Sequence, residues 1–129
     1  MDDARRRERG RELLHKLYGD VGAQTLHSLN ETAPDLARFI EEFAFGDVFS
    51  RPGLELKTRE LATVAALTVM GNSPAQLRAH IHGALNAGCS RQEVLEVILQ
   101  MVLYAGFPAA INGVQAAKEV FAARPASKS

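Results

Sequence analysis

Residues 61–70, LATVAALTVM, are apolar on every side of a helix except at Thr63 and Thr68. A helix without a solvent face has to be enclosed, either in a core or by an oligomer. The chain has 129 residues, enough for one core of ordinary size. With six Phe, two Tyr and no Trp, that core is filled by Leu, Val, Ile and Ala. Gly71-Asn72 breaks the apolar helix. Ser73-Pro74-Ala75-Gln76 then restarts one with the pattern of a capping box and proline at the first helical position. This second helix runs to Ala87 and stops at Gly88, a left-handed C′ residue.

The rest of the chain reads as helices arranged around this pair. Leu13, Leu14, Leu17 and Tyr18 recur at helical spacing over residues 4–18 and end at Gly19. A short helix spans about 22–30, with His27 in it. Pro34 opens a third, whose expected buried stripe is Leu36, Phe39, Ile40, Phe43 and Ala44. Residues 45–60 carry the turn signals Gly46-Asp47 and Arg51-Pro52-Gly53, and read as a structured loop anchored by Phe45, Val48, Phe49 and Leu54. Ser90-Arg91-Gln92-Glu93 is a second capping box. Its helix is expected to bury Val94, Leu95, Val97, Ile98, Met101, Val102 and Leu103. Gly106 interrupts it, and Pro108 begins a last helix reaching about Ala123, with a frayed tail over 124–129. No segment alternates with period two, so the fold expected is all-α: a single-domain bundle of about six helices around the central apolar pair.

Lysine plus arginine balance aspartate plus glutamate at 15 each. Zero net charge argues against electrostatic binding of nucleic acid or a membrane surface. Arg5, Arg6, Arg7 and Arg11 are offset by Asp2, Asp3, Glu8 and Glu12, and read as a solvated helix face. Cys89 is the single cysteine, so no intrachain disulfide and no CxxC pair exist. No signal or bilayer-length apolar run is visible, and a cytoplasmic location is expected.

Among polar residues, His80 falls at the edge of the inward stripe Leu77, Ile81, Ala84 and Gly88, whereas His82 falls toward solvent. His80 has two readings, a hydrogen-bonded core-edge histidine or an acid–base group. Glu60 opens the apolar helix, where the helix dipole alone would favour a carboxylate. Measured from the turn at Gly71-Asn72, Glu60 and His80 differ by about 6 Å in distance along their helices, so the two side chains can meet. Arg51, stiffened by Pro52, is either a surface arginine or a bidentate clamp for a carboxylate. The start of the Pro74 helix offers a second anion site. Capping explains Ser73 without a nucleophilic role, Cys89 lacks activating positive neighbours, and no metal site is expected because His80 and His82 point apart.

Three segments together resemble the carboxymuconolactone decarboxylase family, which includes alkylhydroperoxidase D-like proteins. They are FGDVFSRPGLELKTRELATVAAL (45–67), AHIHGALNAGCSRQEVLEVILQ (79–100) and YAGFPAAINGVQAAKEVF (104–121). The resemblance implies an all-helical fold assembled as a homo-oligomer, a trimer or hexamer. Its peroxidase branch carries a Glu, a CxxC and a His four residues later. Laid on this chain, that pattern puts the acid at Glu60 and the histidine at His80, while the cysteine positions fall on Ser73 and Gln76, which removes a redox pair. The decarboxylase branch needs no cysteines, and FGDVFSRPGL resembles its Arg-Pro-Gly-Leu stretch, although Phe45 and Phe49 stand in place of tryptophans. The function implied is cofactor-free decarboxylation of 4-carboxymuconolactone, a small anionic lactone. His80 would donate the proton, Glu60 would orient or tune it, and Arg51, Ser73 and Gln76 would be the substrate-binding candidates. The alternatives are a decarboxylase-like enzyme on another small lactone or carbonyl compound, and a non-catalytic oligomeric binding protein.

Overall fold

The computed structural model describes residues 3–124, and all regular structure among them is helical. The chain divides into two compact units, one ending at Leu56 and the other beginning at Lys57. The expected fraying over 125–129 lies outside the described residues.

The first unit starts with α1, Asp3–Thr32, which bends at Gly19 (φ 56°, ψ −137°). Only glycine takes such a conformation without strain, so the predicted stop at Gly19 is real, although helix resumes directly after it. Proline at its start then opens α2, Pro34–Phe39, which continues as π-helix over Ile40–Val48. Residues 45–48, expected as loop, are therefore helical; Phe45 is buried while Leu54 is exposed. The buried stripe also differs from expectation. Leu36, Phe39 and Phe43 are exposed, and Ala37, Glu41 and Phe45 face inward.

The reason is backbone proximity. A Cβ on Gly10 would collide with the Glu41 carbonyl, and one on Gly46 with the Arg6 carbonyl, so α1 and the π-helix touch along their main chains. At that distance the α1 arginines reach across. Arg6 donates through Nε and Nη2 to Asp47 at 2.9 and 2.7 Å, and Arg7 and Arg11 donate to opposite oxygens of Glu41 at 2.9 and 2.6 Å. The hydrogen bonds from Arg6 hold the Asp47 carboxyl below its usual range. These arginines are thus not merely a solvated face: Arg6 also keeps the local pair with Asp3, but the main partners lie on the π-helix. Tyr18 meets Phe45 edge-on at 5.6 Å, and Phe49 lies 4.8 Å beyond.

The second unit is built from α3 (Leu56–Met70, its first residue belonging to the first unit), α4 (Pro74–Asn86), α5 (Arg91–Gln100), the short α6 (Val102–Ala105) and α7 (Phe107–Ala122). Its core joins Val64, Ile81, Ala84, Val94, Ile98 and Ala117, all without solvent exposure. Within this unit the most extensive helix contact is between α4 and α7, and the buried face of α7 is Ala110, Gly113, Ala116, Ala117 and Val120. A Cβ at Gly113 would stand 2.9 Å from Ile98 Cγ2. Small residues let α7 close in, whereas α3 and α4 meet through longer side chains. Gly88 follows α4 with φ 106°, as its C′ position requires.

The two capping boxes differ. At Ser90 both halves form, with Ser90 Oγ accepting from the Glu93 N–H at 3.0 Å and Glu93 Oε1 accepting from the Ser90 N–H at 2.8 Å. At Ser73 no side-chain cap forms. Its φ and ψ of −132° and 58° lie outside the extended geometry a cap needs, and its hydroxyl donates to Asn72 Oδ1 instead. The apolar α3 is not enclosed by this chain at its C-terminal end: Val69 and Met70 are exposed, as are Leu103 (76 %), Tyr104 and Phe107 (72 %) in the region α6–α7. Leu103 thus departs from its expected burial. No helix among the described residues is long and apolar enough to cross a membrane.

Gly10→Ala should destabilise the protein by about 2–4 kcal/mol, because backbone rather than a flexible side chain opposes the new methyl. Gly53→Ala, with open space around it, should change stability by less than about 0.5 kcal/mol. Urea unfolding of both variants checks the contrast, and equal midpoints would contradict the tight contact.

Candidate active site

Glu60 lies on the second turn of α3 and His80 halfway along α4. His80 Nδ1 is 2.7 Å from Glu60 Oε1. The carboxylate has no solvent exposure and the imidazole side chain keeps 19 %. The neighbours on their helices, Val64, Ile81 and Ala84, are fully buried and apolar. A carboxylate taken from water into such surroundings is tolerated only with a partner. With Glu60 ionised, Nδ1–H donates to it, which sets the tautomer and holds the ring in one orientation. The second ring nitrogen, Nε2, lies on the side of the ring away from Glu60. A proton-transfer group held in this way can act on a substrate without first being reoriented.

The other candidates are placed elsewhere. Ser73 is about 10 Å from His80 along the α4 axis, and Gln76 one turn from it on the same face. Ser73 lines a cavity of about 310 Å³ with Thr68, Leu77, Arg78 and Glu119, where Arg78 and Glu119 pair at 3.4 Å. Gln76 is exposed. Arg51 belongs to the first unit, on the turn after the π-helix, where its N–H donates to the Val48 carbonyl at 3.2 Å. Its side chain is exposed and borders a cleft of about 390 Å³ with Arg9, Lys16, Phe49 and Leu54.

His82 departs from expectation. It is half-buried, with Nδ1 3.4 Å from an Arg124 Nη atom, and burial first and the Arg124 charge second hold its pKa below the usual value. Cys89 is buried, its thiol lying 3.6 Å from the Lys57 carbonyl, and burial together with the Glu93 charge pushes it up to about 11. Among the described residues no group of three or more His, Cys, Asp and Glu gathers as metal ligands would. Sequence reasoning missed the buried Glu41 with its two arginines. The spacing of Arg7 and Arg11, one turn apart, was the available signal.

The chain belongs to the carboxymuconolactone decarboxylase family, which its residues 34–119 match. It is 38 % identical over 122 residues to the 4-carboxymuconolactone decarboxylase of Acinetobacter baylyi, covering 94 % of this chain and 90 % of that protein. It is 37 % identical over 73 residues to the nitrosuccinic acid decarboxylase of Metarhizium robertsii, covering 57 % and 50 %. Peroxisomal protein 2 of Schizosaccharomyces pombe is 36 % identical over 90 residues, covering 68 % of this chain and 41 % of that one.

Two outcomes follow from the site's burial. His80→Ala should cost about 3–5 kcal/mol, since it removes the 2.7 Å partner of a buried carboxylate, whereas His80→Asn, whose amide can replace Nδ1–H, should recover most of that loss. Denaturant midpoints decide it, and an equally stable alanine variant would mean the pair is not a buried ion contact. Cys89 should resist iodoacetamide at pH 7.5 in the folded protein and react at the rate of a free thiol in urea, as followed by mass spectrometry. Reaction in the folded state should rise only as pH approaches 11, the direction set by a raised thiol pKa.

Proposed function

We propose that the protein is a cofactor-free decarboxylase of 4-carboxymuconolactone in the breakdown of aromatic compounds. The observation that carries this reading is the buried 2.7 Å contact between Glu60 and His80, in a chain 38 % identical to a decarboxylase of that compound. In the reaction the bond from ring carbon to carboxylate breaks and carbon dioxide leaves. The electron pair delocalises through the ring alkene toward the lactone carbonyl, and a proton is delivered to carbon. Electrons balance within the substrate, so one acid and a stabilised dienolate suffice. In its imidazolium form His80 supplies the proton from Nε2–H while Glu60 holds the ring through Nδ1–H, and solvent returns the proton to Nε2 afterwards. Arg51 takes the substrate's other carboxylate, the acetate arm. Ser73 and Gln76 are the remaining binding candidates, Gln76 from the face it shares with His80.

The exposed apolar surface at Leu103, Tyr104 and Phe107 supports assembly as a homo-oligomer, a trimer or hexamer, since a monomer would leave these side chains in water. A lone cysteine, and hence no intrachain disulfide, fits a reducing compartment such as the cytoplasm. A second reading keeps the reaction type and changes the acid, and the resemblance to nitrosuccinic acid decarboxylase favours testing it.

The test follows loss of enzymatically generated lactone together with carbon dioxide release. Wild type should turn over with saturation, and His80→Asn should lose at least about 100-fold in kcat. Arg51→Ala should raise KM about tenfold with little change in kcat. Full turnover by His80→Asn would remove the proton donor. No turnover of the lactone, with turnover of nitrosuccinate, would establish the second reading.

A further inference from the structure

The first unit contains a cleft that the proposed reaction does not use. Its volume is about 320 Å³, and it is bordered by both arms of α1, which diverge at Gly19, by Ala37 of α2 and by Glu41 of the π-helix. Arg7, Arg11 and His15 follow one another at four-residue intervals along α1 and line it from one helix face. Leu14, Ala23 and Leu26 supply apolar wall. His27, paired with Glu31 at 3.6 Å, and Asn30 complete its polar border.

Glu41, 5 % exposed, accepts one hydrogen bond on each oxygen, from Arg11 Nε at 2.6 Å and Arg7 Nε at 2.9 Å. Among the lining residues two guanidinium groups thus face one carboxylate, while Glu31 pairs with His27 at the border and Glu8 and Glu42 share a neighbouring cleft with the arginines. Neither arginine spends its terminal nitrogens on Glu41, and a guanidinium carries five N–H donors in all. The two side chains stay 36 % and 57 % exposed, so these nitrogens can receive a ligand from solvent. Glu41 meanwhile fixes the position of both forks in advance, lowering the ordering cost of binding. Forked donors held in place and an apolar wall in a concave site of this size together match a carboxylate on an apolar body.

We propose that this cleft is a binding site for a small organic carboxylate, with Arg7 and Arg11 holding the carboxylate and Leu14, Ala23 and Leu26 contacting its apolar body. None of its lining residues belongs to the Glu60–His80 pair, so the assignment stands apart from the decarboxylase reading.

Benzoate is the probe, titrated into the full-length protein and followed by amide chemical shifts, with benzyl alcohol as the uncharged control. Benzoate should give saturable one-site shifts centred on residues 7–41, and benzyl alcohol should not saturate. Ala23→Phe, at an exposed helical position that leaves the ion pairs intact, should weaken binding at least about tenfold, as should Arg11→Gln. His80→Asn should bind benzoate as wild type does, which separates this site from the proposed catalytic one. The proposal is overturned by undiminished affinity in the folded Ala23→Phe variant, by equal binding of benzyl alcohol, or by the absence of saturable shifts at about 20 mM benzoate.

Discussion

A carboxylate without solvent exposure sets the terms for the second unit. Glu60 is fully buried on a helix whose neighbouring turn carries the core residue Val64, and His80 offers it Nδ1 at 2.7 Å, the kind of partner a buried carboxylate requires. That requirement ties α3 to α4 at a point where their backbones are not in close approach. One contact therefore bears both on stability and on the proposed chemistry. The hydrogen bond to the buried acid also fixes the orientation of the imidazole ring.

The rest of the second unit is arranged so that this pair can be enclosed. Ala110, Gly113, Ala116 and Ala117 give α7 a surface of small residues; α4 packs on this helix, and Gly113 lies against Ile98 of α5 and Thr68 of α3. The first unit applies the same device with a different result. Gly10 and Gly46 bring α1 and the π-helix into main-chain contact, and the charged residues flanking that contact, Arg6, Arg7 and Arg11 against Glu41 and Asp47, become partners across it. Glycine in both places matters for the space a Cβ would take.

Much of the fold was legible along the chain. The breaks at Gly19, Gly88 and Gly106, the proline starts of α2 and α4, and the capping box at Ser90 are local features, decided by residues a few positions apart, and each falls where pattern reading put it. The failures have a common origin. The stripe Leu36, Phe39, Phe43 has helical spacing but faces outward, because inward space is taken by a backbone contact that hydrophobicity does not report. Ser73 has a capping residue's identity without its backbone angles. His82 is half-buried because Arg124, far along the chain, lies against it.

The sequence by itself determined the helical class, the order and boundaries of most helices, and the two side chains, Glu60 and His80, able to do acid–base work, since these depend on periodicity, turn chemistry and residue type. Only the tertiary structure decided that those two side chains touch, that the carboxylate is fully buried, and that Glu41 is a second buried acid held by two arginines. Such facts depend on pairs 20 to 34 residues apart. Helical spacing says which face a residue occupies, but packing of one helix on another decides what that face meets, and here residues as small as Gly10 and Gly113 set the distance.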